Sequence, residues 1–137
     1  MTRYIIVSIV GGILFGLIDG LINANPWATR LMEVYKPLAK SAINVPAGIV
    51  IDLAYGFILA GIFLLLYASL PSEVGLAKGV SFAFLVWFFR VVMGVASTWM
   101  MFNVSVQTLF YQLITGLGEM LVLGVLYGLA LQPSMLN

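Results

Sequence analysis

Charged residues make up only 8% of the 137-residue chain, against roughly 25% in an ordinary soluble domain. Hydrophobic residues make up 63%, which leaves too little polar surface to face water and excludes a soluble globule. Cysteine and histidine are absent altogether. That removes disulfides, thiolate nucleophiles, the usual zinc and haem ligands and the commonest general base. Neither sign of charge predominates. Six Lys and Arg against five Asp and Glu leave a net charge of +1, so no long-range field gathers nucleic acid or an acidic partner. The composition therefore predicts a non-enzymatic protein with no nucleic-acid partner, no metal and no cofactor.

What the chain has instead is long apolar runs. Tyr4 to Ala24 is interrupted only by Asp19 and matches the roughly 20 residues that cross a hydrocarbon core. With Arg3 ahead of it this run also has the outline of a secretory signal, but an acidic residue and the glycines at 11, 12, 16 and 20 suit that role poorly. Further runs cover 47–70, 74–98 and 104–131, with Pro71-Ser72-Glu73 as a turn and helix-start signal and Gln132-Pro133 closing the last. Apolar residues at successive positions do not fit the alternating segments of a β-barrel. The predicted fold class is an all-α integral membrane protein, a four-helix transmembrane bundle forming a single membrane domain over residues 1–137. Membrane lipids are its first expected partner, and an even number of spans puts both termini on one side.

Between the first and second spans, Asn25-Pro26 offers a helix cap followed by a first-turn proline. Trp27, Leu31, Tyr35 and Leu38 then recur at helical spacing, while Arg30, Glu33, Lys36 and Lys40 fall on other sides and Pro37 breaks or kinks the run. This pattern predicts an interfacial amphipathic helix over about 26–40, with Trp27 at headgroup level and Arg30, Lys36 and Lys40 toward anionic lipid. Arg3 and Lys78 lie on the other side. The lysine and arginine balance leans weakly to a cytoplasmic 25–46 connection.

Helices in lipid associate through close packing and buried polar contacts, because the surrounding tails are as apolar as Leu. Ser8, Gly12, Gly16 and Gly20 recur every four residues; Gly56 and Ala60 follow Asp52; Gly124 and Gly128 form a further small-xxx-small pair. These residues serve either packing within one bundle or self-association. So small a bundle is expected as a homo-oligomer or as a subunit of a larger membrane complex.

Asp19, Asp52, Arg90 and Glu119 stand inside the apolar runs, where each charge costs about 2.5 to 3.5 kcal/mol even on the lenient insertion scale. Helical rise places Asp19 and Asp52 roughly 9 Å and Arg90 roughly 12 Å inside the same face. Antiparallel pairing of the last two spans brings Arg90 beside Glu119. Thr108, Gln112, Thr115 and Glu119 share one helix face. The expected site is thus a polar network of Asp19, Asp52, Arg90, Glu119, Gln112 and Thr115, with carboxylates in excess. Trp87 and Phe88 beside Arg90 offer a resting place for an apolar ligand or lipid. Two functions fit: a non-enzymatic accessory or scaffold subunit or self-associating bundle, and a small proton- or cation-coupled transporter or channel-like protein using the intramembrane acids and the arginine. Either way, alkaline carbonate washing is expected to leave the chain in the membrane pellet; its release into the supernatant would contradict the spanning assignment.

Overall fold

The structure is a computed structural model that describes residues 1–136. Among these residues all regular structure is helical: α1 Thr2–Asn23, α2 Pro26–Leu31, α3 Val45–Leu66, α4 Gly75–Trp87, α5 Met93–Met101 and α6 Val106–Ala130. Four stretches are long and apolar enough to cross a membrane, namely Thr2–Asn23, Val45–Ser69, Gly75–Met101 and Val106–Ala130. α4 and α5 form one rod, joined by a π-helical turn over Phe88–Val92. Polar side chains start three of the helices. Asn25 accepts from the Ala28 amide at 2.9 Å, Asn44 from Ala47 at 3.1 Å and Ser105 from Thr108 at 3.2 Å, each satisfying a donor that the first helical turn leaves free.

Two antiparallel hairpins, α1 with α3 and α4–α5 with α6, meet through α1 and α6. Glycine sets the closeness of each hairpin. Gly79 and Gly124 face each other so tightly that a Cβ on either would run into the other's carbonyl oxygen, and Gly56 presses on the Ser8 carbonyl and the Gly12 backbone. Gly128 approaches the Gly75 carbonyl in the same way. Gly16 makes room for the Asp52 carboxylate, whereas Gly20 has open space beside it. The core between the hairpins is aromatic: Phe63 packs edge-on against Phe82 at 5.3 Å and lies 6.0 Å from Tyr127 between ring centroids. The Tyr127 hydroxyl donates to the Gly56 carbonyl at 2.9 Å and the Tyr4 hydroxyl to Phe57 at 2.7 Å, tying α6 and α1 to α3.

The segment expected as one amphipathic helix over 26–40 is broken in two. α2 stops at Leu31, and a 3-10 turn follows over Glu33–Leu38 with Pro37 inside it. Two causes are visible. Thr108 donates its hydroxyl to the Leu31 carbonyl at 2.5 Å, an acceptor that a continuing α-helix would use itself. Pro37 has no amide hydrogen to give to an α-helical ladder. The apolar stripe is split as a result: Trp27 is 75% and Leu38 83% exposed, while Tyr35 turns toward Gln112 on α6. Arg30, Lys36 and Lys40 are exposed.

Lys78 is another departure. The sequence reading counts it among the charges flanking the spans, yet it is 6% exposed and donates to the carbonyls of Tyr67 at 2.7 Å and Leu70 at 2.9 Å. Its ammonium also stands 4.8 Å from the Tyr67 ring centroid. The cation closes the C-terminal end of α3, where carbonyls lack helical partners and the helix dipole is negative.

The glycine contacts give a direct comparison. Gly79→Ala forces a methyl into backbone, and overpacking of this kind costs about 1–3 kcal/mol. Gly118 has nothing within 4 Å of its added Cβ, so Gly118→Ala gains up to about 1 kcal/mol of helix propensity. Thermal unfolding in detergent is expected to show a lower Tm for the first and an unchanged or higher Tm for the second; equal Tm values would contradict the packing.

Candidate functional site

Away from the glycine contacts the helices spread. Bulkier residues stand between them, and α5 buries none of its residues. An open cleft of about 420 Å³ results, bounded by the last turns of α1, the first half of α6, the π turn and α5, and Tyr55 of α3. Met32 and Tyr35 from the broken connection lean over it. That connection is tied down at several points. Tyr111 donates to the Ile22 carbonyl at 2.6 Å and accepts from the Asn25 amide at 2.9 Å, while the Gln112 amide lies 3.4 Å from the Tyr35 hydroxyl and 3.6 Å from the Met32 sulfur.

Arg90 sits in the middle of the π turn. Such a turn carries one more residue than an α turn and re-aims the side chains beyond it, and it often marks functional positions. The guanidinium carbon lies 5.1 Å from the Phe15 ring centroid and 5.0 Å from that of Tyr55, and the two rings are themselves stacked at 4.5 Å. A cation against the faces of aromatic rings is favourable, more so where water is scarce. Helical side chains lean toward their own N-terminus. In an antiparallel pair, Arg90 and Glu119 therefore lean toward each other, and Arg90 Nη2 stands 3.9 Å from Glu119 Oε1. That separation is an ion pair but not a hydrogen bond. Glu119 is 4% and Arg90 27% exposed. Both Glu119 Oε1 and Arg90 Nε are shielded from solvent and have no hydrogen-bond partner.

The other expected network members are placed unequally. Asp19 lines the cleft, but among the described residues the only ion pair is Arg90 with Glu119. Gln112 and Thr115 line it too, although the Thr115 hydroxyl is taken up by the Tyr111 carbonyl one turn back, at 2.6 Å. Asp52 lies elsewhere. It stands against Gly16 in a separate, mostly apolar hollow between α1 and α3 that also contains Gly12, Ile13, Leu17, Ile49 and Leu53. The expected common depth fails: Asp52 stands against Gly12 and Gly16, about one to two helical turns before Asp19 on α1, so the two acids are neither level nor in one hollow. Trp87 turns inward and donates its indole N–H to the Leu113 carbonyl at 2.9 Å, while Phe88 and Phe89 are exposed.

The sequence pattern places Tyr35 on an interfacial stripe and gives no signal for Tyr55 or Asn23, yet all three line the cleft. Tyr55 lies one helical turn beyond Asp52, and an i, i+3 relation does place two side chains on neighbouring faces. Nothing in the spacing tells which of the two faces the cleft.

Chemically, the cleft offers two carboxylates, one guanidinium, two phenols and neutral amide and hydroxyl groups. No group of three or more His, Cys, Asp or Glu stands close enough among the described residues to hold a metal ion. The cleft has a floor: Ala60, Phe63, Leu123 and Tyr127 are at most 1% exposed. The paired charges give a double-mutant test. Arg90→Met strands a buried carboxylate, which is costlier than neutralising it with Glu119→Gln, by roughly 1–3 kcal/mol once the partial exposure of Arg90 is allowed for. In thermal or denaturant unfolding, the double variant is expected to be more stable than the sum of the single losses implies. Strict additivity would show that the two side chains do not interact.

Comparison of the chain with family models, with curated proteins and with solved structures gives no match.

Proposed function

We propose that this is a four-span integral membrane protein that binds a small polar solute in a cleft open to one side of the membrane, without catalysing its conversion. The observation that carries this reading is the pair of buried, unpartnered polar atoms, Glu119 Oε1 and Arg90 Nε, on residues lining the cleft. Buried polar groups are almost always hydrogen-bonded in folded proteins, and each exception calls for an occupant or a role. The surroundings support membrane insertion. Four helices have the length and composition of spans, and large apolar side chains such as Ile13, Leu17, Ile58, Leu65 and Phe89 are exposed, as hydrocarbon allows and water disfavours.

The packed core beyond the cleft, with Phe63 and Tyr127 buried, supports binding over conduction. A transporter built from one subunit needs a route past Phe63 and Tyr127, which the packed core does not leave. Cation-coupled transport thus becomes the second reading, requiring a rearranged core. The accessory-subunit reading keeps one specific support, the outward face of α5, where Met93, Met100 and Met101 are exposed. Methionine-rich surfaces adapt readily to partners. On that reading the partner is a second copy or another membrane subunit, and native mass measurement after gentle extraction identifies which.

The absence of cysteine makes single-cysteine labelling clean. In sealed vesicles, Thr115→Cys is expected to react with a small impermeant thiol reagent from the same side as Lys40→Cys and from that side only. Ser72→Cys, in the turn before α4, is expected to react from the opposite side. Labelling of position 115 from the Ser72 side would favour a through pathway, and no labelling from either side would remove the water-filled cleft.

A further inference from the structure

The cleft has a charge balance and a donor deficit that together define its occupant, an inference that rests on the binding role just proposed. Asp19 and Glu119 face one guanidinium, Arg90, across about 420 Å³, so the lining carries one net negative charge when all three ionise. Arg90 is engaged on three sides, by the Phe15 and Tyr55 rings and by Glu119, although its buried Nε has no acceptor. Glu119 is not. Its Oε1 is buried, 3.9 Å from the nearest guanidinium nitrogen and without a donor. Asp19 has one neighbouring donor, Asn23, whose amide donates to the Asp19 backbone carbonyl at 2.8 Å and also reaches its carboxylate. Arg90 Nε leaves one donor unmet, but two carboxylates against one guanidinium leave the net surplus negative, on a lining that also presents Tyr35 and Tyr55.

An inorganic divalent ion does not answer to this set. Such ions take several oxygen ligands at short range, and no acidic group of the required number stands together among the described residues. An anion meets two carboxylates. A neutral solute leaves the charge uncompensated beside the solvent-shielded Glu119 Oε1. A monovalent organic ammonium meets each demand: its N–H groups supply the missing donors, its charge neutralises the lining, and its carbon skeleton rests against aromatic rings, which attract cations. We infer that the cleft recognises a small organic ammonium ion, held by Glu119 and Asp19, with Arg90 acting as the positioning residue that keeps Glu119 in place.

The test uses a matched series on one skeleton with the whole protein in phosphatidylcholine nanodiscs, and empty discs to subtract partitioning. Phenethylamine supplies the cation, phenethyl alcohol the neutral analogue, phenylalanine the zwitterion and phenylpropionate the anion. Calorimetry or ligand-observed NMR is expected to rank phenethylamine at least tenfold tighter than the alcohol, with the anion weakest. Glu119→Gln is expected to remove about tenfold or more of that preference, as for the loss of a charge-assisted hydrogen bond, and Asp19→Asn a smaller part. The wild-type ranking stands without either variant, so a failure of Glu119→Gln to fold leaves the inference testable. Discs containing phosphatidylethanolamine locate the source of the ammonium: competition with phenethylamine identifies a lipid headgroup, and undiminished binding a free amine. Equal binding of amine and alcohol, or tightest binding of the zwitterion or anion, overturns the ammonium inference while sparing the cleft as a binding site. No binding by any probe overturns the inference, and no labelling at position 115 overturns the binding role itself.

Discussion

Backbone-to-backbone approach at a few glycines is the constraint on which the rest of the molecule depends. Where Gly79 meets Gly124 and Gly56 meets Gly12, nothing but backbone separates the helices. Dispersion is strongest at such close contact, and in the bilayer proposed for this chain it is the main attraction between helices that lipid would otherwise solvate equally well. The helices cannot stay so close along their whole length. Toward the other end of the second hairpin Val91 fills the space beside Gly116. Tight packing of α4 on α6 at one end, and its loss along α5 at the other, open this hairpin into a wedge, and the cleft is the wide end of that wedge.

Charge follows the same polarity along the bundle. At the narrow end, cations answer helix C-termini: Lys78 holds the carbonyls at the end of α3, and Arg3 donates to the Ala130 carbonyl at the end of α6 at 2.6 Å. Those charges are spent on structure, since each meets carbonyls that have no helical partner. At the wide end the situation reverses. Arg90, Glu119 and Asp19 face an open volume, and two of their buried atoms lack partners. The same residue types are therefore structural at one end and available at the other, and what separates them is whether the packing around them is complete.

The π turn links these two features. In an uninterrupted α-helix the rod from Gly75 to Met101 would carry Arg90 on the face set by Gly79 and Ala83. The extra residue in Phe88–Val92 rotates the chain at the point where the glycine contact ends. It lets α5 leave α6 while Trp87 and Val91, on either side of Arg90, remain packed against α6 at Leu113 and Gly116. Such irregular turns are tolerated where a side chain is needed in a particular place. The arginine, the open side of the cleft and the free face of α5 then share one cause.

The chain's own composition was enough to determine an all-helical layout with four long apolar helices, because runs of apolar residues at successive positions and proline-marked turns are local properties. Asn25, Pro26 and Pro71 act within a few residues of where they stand. The meeting of Arg90 with Glu119 was also legible, since antiparallel pairing across a short connection fixes axial position. Rotation about the helix axis was not. Asp52 stands against Gly12 and Gly16 in a hollow away from Asp19, Lys78 turns inward to bare carbonyls, and the 26–40 stripe breaks because Thr108, far along the chain, takes the Leu31 carbonyl. Spacing along a helix gives height. Only the packing of helix against helix decides which way a side chain looks, and so which polar residues form the cleft.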